Sequence, residues 1–276
     1  MSTMPLTPQL YAIFNALIEE RLGIHYGPRD MDLFGSKVTV RAADAGFDSL
    51  LDYYYFLRYD PAGAEEFDAL VDALVVGETY FFRELEPLVV IIRDLVTRIR
   101  NGQTEHRPRI WSAACSTGEE PYTVAILLAE HDMLDKVDIV ASDISARAIQ
   151  RAKAGEFGSR ALREHAPIPD FARPWITRDG DRVIVSDRIR SAVDFRRINL
   201  VDDDAIRSLG TFDLILCRNV LIYFQDATAR RVVDNLGRAL RRGGTLLVGI
   251  AESLYRLGTS LTCEERGGVF VYRQVA

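Results

Sequence analysis

Four short apolar runs alternate with helical stretches in the chain beyond its first hundred residues. They span Ile110 to Ala113, Val137 to Ala141, Phe212 to Leu216 and Thr245 to Ile250. Apolar runs of this length, separated by helices, are typical of a parallel sheet whose strands are joined by crossover helices. We therefore predict a doubly wound α/β domain.

The first hundred residues have an all-helical pattern. The clearest helix lies between Thr7, a suitable N-cap, and Gly23, a suitable C-terminal stop, with Pro8 in its first turn. Further helices are predicted at about 29–45, 49–59, 64–74 and 86–100. The polar segment RNGQTEHRPR then breaks the pattern. We predict a helical N-terminal domain over residues 1–100 and an α/β domain over residues 101–276.

One stretch, WITRDGDRVIVSDRIRSAVDFRRINL, interrupts the α/β pattern. Its RDGD sequence is flanked by alternating residues, which is typical of a tight β-hairpin. We predict a small antiparallel β insertion at about residues 173–198.

The composition limits the partners and the location. The chain of 276 residues has a formal net charge of −6, and nucleic-acid binders usually present a basic face, so we expect no nucleic-acid partner. The three cysteines are scattered without a CxxC pair, which predicts no metal site and fits a reducing compartment. Since neither a signal pattern nor a long uncharged apolar run is present, we expect a cytoplasmic protein without membrane insertion.

The sequence SAACSTGEEPYTVAILLAE places small residues between the first apolar run and a helix. Small residues at the carboxyl end of a strand allow a ligand to approach the main chain closely. Glu119 and Glu120 occupy the first helical turn, where the helix dipole favours negative charge. Because these carboxylates would repel a phosphate, we expect a ligand with positive charge or hydroxyl groups. An ordinary capped strand-to-helix turn is the alternative.

Two other predicted strands also end in polar residues. Asp143 ends the second apolar run, where a carboxylate in this topology reaches the ribose hydroxyls of an adenosine ligand; an N-cap for the next helix is the alternative. The stretch FDLILCRNVLIYF ends its strand with Arg218 and Asn219, and Tyr223 follows one helical turn later. Arg218 and Asn219 are candidate ligand-binding groups, and packing in the core is the alternative for Tyr223.

Five motifs, in the same order and spacing, resemble those of the chemotaxis receptor glutamate O-methyltransferases, the CheR family. They are GETYFFRE, WSAACSTGEEPYTVAI, VASDIS, INL and CRNVLIYF. The resemblance covers nearly the whole chain. It implies an all-helical N-terminal domain followed by a Rossmann-like S-adenosylmethionine-dependent methyltransferase domain with an antiparallel insertion.

The resemblance also implies a pocket for S-adenosylmethionine and its product, S-adenosylhomocysteine. Thr79 and Arg83 would close over this cofactor from the N-terminal side, and Asp143 would hold its ribose. Tyr223 would stand near the transferred methyl group, so Arg83 and Tyr223 are the predicted catalytic residues. The remaining implied cofactor-binding residues are Glu120, Asn199, Leu200, Arg218 and Asn219.

The implied activity is methyl transfer to glutamate side chains in the cytoplasmic domain of chemoreceptors. A glutamate has a reference pKa of about 4.3, so the nucleophile is ionised at neutral pH and needs no general base. Two other functions stay open: a non-catalytic signalling module that responds to S-adenosylmethionine, and a methyltransferase that acts on RNA or a small molecule.

The chain departs from the family pattern in two motifs. Gly77 stands where the family usually has Asn, which removes a side-chain contact to the cofactor. In GIAES, Ile250 and Ala251 replace polar residues, while Glu252 remains.

Two features concern receptor docking. The family docks through a basic helix, and Lys37 and Arg41 lie one turn apart on the corresponding helix; a solvated face is the alternative. Some members bind a receptor's C-terminal pentapeptide beside a glycine-rich loop. The corresponding turn here is only TRDGDR, with Asp179 and Asp181 beside Gly180, so we predict an enzyme that is independent of such a tether.

Overall fold

The computed structural model describes residues 4–163 and 167–274, which form two compact units. The first consists of the described residues up to Val76 together with Ile222–Thr228. The second consists of Gly77–Leu221 and the described residues from Ala229 onward. The boundary therefore lies at Val76 and not at residue 100, where the sequence analysis set it.

The first unit is helical, as predicted. Its helices are α1 (Pro8–Leu22), α2 (Met31–Asp44), α3 (Leu50–Tyr59) and α4 (Gly63–Leu74). The predicted ends of α1 are confirmed, because the Thr7 side chain accepts the N–H of Leu10 and Gly23 has a φ of 75°. Apolar side chains such as Phe14 and Tyr53 are fully buried between the helices.

The two cations considered for receptor docking hold α2 to α4. Lys37 Nζ donates to the Leu74 carbonyl at 3.2 Å, and burial lowers the pKa of this lysine. Arg41 donates to both carboxylate oxygens of Glu66, at 2.6 and 2.8 Å. Tyr53 donates to Glu66 as well, at 2.7 Å. These cations therefore form neither a free basic patch nor a merely solvated face.

The segment Ile222–Thr228 joins the first unit through main-chain and side-chain contacts. The N–H of His25 donates to the Tyr223 carbonyl at 2.9 Å, and Ile24 forms an isolated antiparallel bridge with Phe224. Helix spacing could not predict this, because the partners are about two hundred residues apart in the chain.

The second unit contains a seven-stranded sheet in the order β6-β2-β1-β7-β8-β10-β9. Strands β6, β2, β1, β7 and β8 are parallel, and β10 and β9 are antiparallel. The strands are β1 (Arg109–Ala113), β2 (Asp138–Asp143), β6 (Val193–Arg197), β7 (Phe212–Cys217), β8 (Leu240–Val248), β9 (Thr262–Arg266) and β10 (Val269–Arg273). The prediction of a doubly wound α/β domain is confirmed.

Helices connect and cover these strands. They are α5 (Leu85–Arg100), α6 (Glu119–Glu130), α7 (Ala146–Ala154), α8 (Asp187–Arg190), α9 (Asp203–Ser208) and α10 (Asp226–Ala239). The apolar face of α5, including Leu88 and Ile92, lies in the same core cluster as Tyr122 of α6. This burial explains why α5 belongs to the second unit.

The three strands of the antiparallel insertion lie between Glu156 and Val185, so the insertion begins and ends earlier in the chain than the predicted residues 173–198. A three-stranded sheet has the order β3-β5-β4, with β3 at Glu156–Gly158, β4 at Ile176–Asp179 and β5 at Arg182–Val185. The RDGD hairpin is confirmed, because Asp179 pairs with Arg182. Strand β6, which the sequence analysis included in the insertion, instead lies parallel to β2 in the main sheet. Its alternating burial is that of an edge strand, which explains why its sequence resembles a hairpin strand.

Among residues 4–163 and 167–274, no helix is long and apolar enough to cross a membrane. The same residues contain no group of three or more His, Cys, Asp or Glu side chains that could hold a metal ion.

Candidate cofactor site

The carboxyl ends of β1, β2, β7 and β8 meet at one edge of the parallel sheet. Polar residues follow three of these ends: Asp143 ends β2, Arg218 and Asn219 follow β7, and Glu252 lies shortly after β8. Ligands of open α/β sheets bind at this edge.

The turn between β1 and α6 is fixed by Asp143. One carboxylate oxygen of Asp143 accepts the N–H of Ser116 at 2.8 Å, and the other accepts the N–H of Ser145 at 2.9 Å. Ser145, rather than Asp143, is the N-cap of α7, so the alternative role for Asp143 is not the one observed. These bonds hold the Asp143 carboxylate beside the turn at the carboxyl end of the sheet.

Gly118 explains part of the low side-chain bulk in this turn. Its φ is +99°, and an added Cβ would lie 2.9 Å from the Cβ of Ala152 and 3.2 Å from Phe195. Only glycine fits this conformation and this close approach.

The two glutamates at the start of α6 have different environments. Glu119 is 3% exposed and accepts the Thr117 hydroxyl at 2.7 Å, and burial raises its pKa to about 7. Glu120 is only partly buried and accepts the Ser112 hydroxyl at 2.7 Å. Both carboxylates were predicted to face a ligand, but the Glu119 side chain lies in the protein interior.

Arg218 lies between two carboxylates and is almost completely buried, with a side chain 2% exposed. Its guanidinium donates to Glu120 at 2.8 Å, to Glu84 at 2.9 Å and to the Arg83 carbonyl at 2.9 Å. Burial by itself lowers the pKa of Arg218, but the two carboxylates outweigh it and raise that pKa. The charge is therefore compensated, as a buried cation requires.

Glu84 was not among the predicted site residues. Its side chain also accepts the amide of Asn219 at 3.3 Å and the N–H of Ile250 at 3.2 Å. Burial opposes ionisation of Glu84, yet the hydrogen bond and charge of Arg218 hold its pKa below the ordinary value. The only sequence signal for this residue was its place at the end of GETYFFRE.

Glu252 was also missed. It is 8% exposed, and its carboxylate accepts three main-chain N–H groups, those of Asn219, Gly249 and Leu221. The sequence signal was an acid retained in a motif whose neighbouring residues had changed.

The segment before α5 lies beside the turn that follows β1. The carbonyl of Gly77 accepts the Ser116 hydroxyl at 3.3 Å, and the N–H of Phe82 donates to Thr123 at 3.2 Å. Arg83 donates to the Glu78 carbonyl at 2.9 Å and lies 5.6 Å from the centre of the Tyr80 ring. Thr79 and Arg83 are part of this segment, so both belong to the second unit and not to the N-terminal domain.

Asn199 and Leu200 follow β6, beside the end of β2. The N–H of Ile198 donates to the Asp143 carbonyl at 3.0 Å, Asn199 accepts the N–H of Val201 at 3.2 Å, and Leu200 is buried. Thr79, Arg83, Glu120, Asp143, Asn199, Leu200, Arg218 and Asn219 thus all lie in the second unit. Tyr223 falls in the first unit, and its role stays a prediction.

The backbone of the site is strained. Of the six non-glycine residues with positive φ in the described chain, five lie in these segments. They are Phe82, Glu84, Ala114, Ser116 and Asn219, with φ between 46° and 65°. Such conformations cost about 1 to 3 kcal/mol each and cluster at functional sites.

The residues present fit S-adenosylmethionine, which has a sulfonium, an ammonium, a carboxylate and ribose hydroxyls. Acidic side chains outnumber cations around the site, which suits a ligand with positive charge and hydroxyls and disfavours a phosphate. The Nε of Arg218 is buried without a hydrogen-bond partner among the described residues, so one donor remains for an acceptor group of a ligand.

Comparison with known proteins gives the same result. Residues 77–266 match the model of the CheR methyltransferase SAM binding domain, and residues 9–75 match that of the CheR methyltransferase all-alpha domain. The chain is 33% identical over 267 residues to chemotaxis protein methyltransferase 2 of Vibrio cholerae, covering 94% of this chain and 90% of that protein. It is 35% identical over 263 residues to the chemotaxis protein methyltransferase of Vibrio parahaemolyticus, covering 92% of each.

A further relative has a different name. The chain is 32% identical over 246 residues to the probable biofilm formation methyltransferase WspC of Pseudomonas aeruginosa, covering 87% of this chain and 56% of that protein.

The fold, the site and these matches define an S-adenosylmethionine-dependent methyltransferase. The chain belongs to the CheR methyltransferase family over both of its domains.

Proposed function

We propose that the protein transfers a methyl group from S-adenosylmethionine to glutamate side chains in the cytoplasmic domain of chemoreceptors, forming methyl esters. The observation that carries this proposal is the match of both domains to one family, together with two relatives that are named chemotaxis protein methyltransferases. We also propose a cytoplasmic location, which agrees with the free thiols of Cys115, Cys217 and Cys263.

In this proposal each residue has a defined task. Asp143 binds the ribose hydroxyls, and Asn199 and Leu200 flank the adenine. Arg218, held by Glu120, and Asn219 line the pocket wall. Thr79 and Arg83 close over the cofactor, and Tyr223 stands near the methyl group.

Methyl transfer to a carboxylate depends on the orientation of the two reactants and requires no proton transfer. The cofactor, when bound, supplies a methyl group attached to a positively charged sulfur. The substrate glutamate is ionised at neutral pH, so the protein needs no general base. Holding the carboxylate oxygen about 3 to 3.5 Å from the methyl carbon contributes up to roughly 7 to 11 kcal/mol.

The test is incubation with methyl-labelled S-adenosylmethionine and a cytoplasmic receptor fragment. We expect label on the fragment that alkali releases as methanol. Binding of S-adenosylhomocysteine without labelling would instead support a non-catalytic signalling module. Labelling of RNA or a small molecule in place of the fragment would support a different substrate.

Tyr223 offers a test of the proposed placement of the methyl group. We expect Tyr223→Phe to lower kcat while the affinity for S-adenosylhomocysteine stays near that of the wild type. Equal losses in kcat and affinity would make Tyr223 a binding or packing residue.

We further propose that the enzyme recognises receptors without a C-terminal pentapeptide tether. The β4–β5 turn contains only Gly180 and Asp181 between paired strand residues, which leaves little exposed main chain. Asp179 and Asp181 are exposed and would repel an acidic peptide. The alternative is β-strand addition at an edge of the small sheet, which uses main-chain groups.

Calorimetric titration with synthetic C-terminal pentapeptides of the organism's own receptors should therefore give no measurable heat. Binding at micromolar strength would overturn tether independence, although the methyl-transfer activity itself would be unaffected.

A further inference from the structure

We infer that Glu252 is a positioning residue of the cofactor pocket: its carboxylate fixes the main chain at the carboxyl ends of β7 and β8 and thereby aims Arg218 and Asn219. The inference rests on the proposed assignment of Arg218 and Asn219 to the cofactor.

The geometry of Glu252 is that of a clamp on two strand ends. One carboxylate oxygen accepts the N–H of Asn219 at 2.6 Å and the N–H of Gly249 at 2.8 Å. The other accepts the N–H of Leu221 at 2.8 Å. Hydrogen bonds from N–H groups to an ionised carboxylate are about twice as strong as neutral ones. A single buried side chain therefore joins the chain after β7 to the chain after β8.

Two features of the backbone show that the local conformation depends on the hydrogen bonds of Glu252. Asn219 has a φ of 59°, a left-handed conformation that is unfavourable for a residue with a side chain. Its N–H bond to Glu252 holds it there. At Gly249, an added Cβ would lie 2.8 Å from the Glu252 carboxylate and 2.8 Å from the Asn219 amide. The carboxylate reaches both strands only because position 249 has no side chain.

The hydrogen bonds of Glu252 also explain how the site forms although Ile250 and Ala251 replace the polar residues that the family usually has there. The Ile250 side chain is 74% exposed, and Ala251 is exposed too. What Ile250 contributes is its N–H, which donates to Glu84 at 3.2 Å. The segment acts through its main chain and through Glu252, so polar side chains at 250 and 251 are dispensable for this network.

Asp213 provides a matched control at the other end of β7. It is 6% exposed and lies near the amino end of β7, at the opposite edge of the sheet. It accepts the main-chain N–H of Arg109 at 2.9 Å and the guanidinium of Arg241 at 2.7 Å. Replacing Asp213 removes a similarly buried carboxylate at the other end of β7, away from the proposed pocket.

The experiment measures the Kd for S-adenosylhomocysteine by calorimetry and the Tm, for the wild type, Glu252→Gln and Asp213→Asn. We expect both variants to lower Tm, because each removes a buried carboxylate that accepts several bonds. Only Glu252→Gln should raise Kd, by about 10-fold or more. The NH2 group of the glutamine would face a main-chain N–H, so two donors would meet and that hydrogen bond would be lost. Ala251→Ser should leave both quantities unchanged.

Three results would overturn the inference. One is an unchanged Kd in folded Glu252→Gln, and another is an equal rise in Kd in Asp213→Asn, which would make the effect one of general stability. If Glu252→Gln does not fold, Glu252→Asp takes its place, because it keeps the charge but shortens the side chain and withdraws the carboxylate. Its Kd must still rise, and an unchanged Kd for Glu252→Asp is the third overturning result. A wild type that fails to bind S-adenosylhomocysteine would overturn the cofactor assignment instead.

Discussion

The two ends of the parallel sheet in the second unit differ in how their backbone turns are made. Near the amino ends, the positive φ values fall on Gly210 (79°), Gly243 (74°) and one non-glycine residue, Asp132 (57°). At the carboxyl ends, they fall mostly on non-glycine residues, Ala114, Ser116 and Asn219, at 61°, 50° and 59°, beside Gly118 at 99°. Because glycine adopts such angles without steric cost, the carboxyl end is less stable than it could be. Non-glycine residues in such conformations cluster at functional sites.

Both ends bury acidic side chains, but among the described residues only the carboxyl end also buries a cation. At the carboxyl end a cation is buried: the Arg218 side chain is 2% exposed between Glu84 and Glu120. At the amino end an anion is buried: the Asp213 side chain is 5% exposed, and its partner Arg241 is 26% exposed. Water therefore replaces a lost partner at the amino end more easily than at the carboxyl end.

Replacement of the central cation tests this contrast most strongly. We expect Arg218→Met to lower the free energy of unfolding by about 3 to 5 kcal/mol, because two carboxylates lose their buried partner. Arg241→Met should cost only about 1 kcal/mol, since Asp213 keeps the Arg109 N–H and His106. Urea unfolding at pH 7 measures both, and equal costs would remove the contrast between the ends.

Glu119 makes the carboxyl end sensitive to pH. The pKa of Glu119 is raised from 4.5 to about 7, so between these values the folded state binds more protons than the unfolded state. The free energy of unfolding therefore falls as pH rises through this window. The free energy of unfolding of Glu119→Gln, relative to that of the wild type, should therefore rise by about 3 kcal/mol between pH 4.5 and pH 8.

Denaturant unfolding at pH 4.5 and pH 8 provides the measurement. The control is Glu130→Gln, an exposed residue in the last turn of the same helix, with an expected effect within about 0.5 kcal/mol at both pH values. A pH-independent difference for Glu119→Gln would show that its carboxylate is not as buried as described.

Replacing an aspartate at each end of β2 compares the contributions of the two ends to cofactor affinity. Asp143→Ala should weaken the binding of S-adenosylhomocysteine by about 1.5 to 3 kcal/mol, which is roughly 10- to 150-fold in Kd, because a charge-assisted hydrogen bond is lost. Asp138→Ala, at the amino end of the strand, removes an ion pair with Arg107 at 2.6 Å and should leave the affinity unchanged. Calorimetric titration of folded variants decides the matter, and an unchanged Kd for Asp143→Ala would reject the ribose assignment.

The smallest expected effect is at Gly77. Of the residues that the structure describes, a Cβ there would meet only Ser116, whose hydroxyl lies at 3.4 Å, so Gly77→Asn fits without strain. Restoring the side chain typical of the family should tighten S-adenosylhomocysteine binding by up to about 1 kcal/mol, or 5-fold. At Gly158, no atom of the described residues lies within 4 Å of an added Cβ, so Gly158→Asn should leave the affinity unchanged. Weaker binding by Gly77→Asn would mean that the pocket needs the close main-chain approach.

Features set by neighbouring residues were predictable. The ends of α1 follow from Thr7 and Gly23, and the β4–β5 turn follows from RDGD, because caps and tight turns depend on a few adjacent residues. Strand β6 was assigned to the wrong sheet because its alternating sequence suits either an edge of the main sheet or a hairpin. The β9–β10 hairpin was not predicted at all.

The sequence by itself determined the helical first unit, the α/β class of the second and most of the polar residues at its strand ends, since periodicity, caps and motifs are local properties. Only the tertiary structure decided that Glu84 meets Arg218, 134 residues away, and that Glu252 joins the ends of two strands. It also decided that Glu119 is buried while its neighbour Glu120 binds Arg218. The physical reason is that a side chain's charge state and partners depend on burial and on contacts between distant segments, which adjacent residues do not specify.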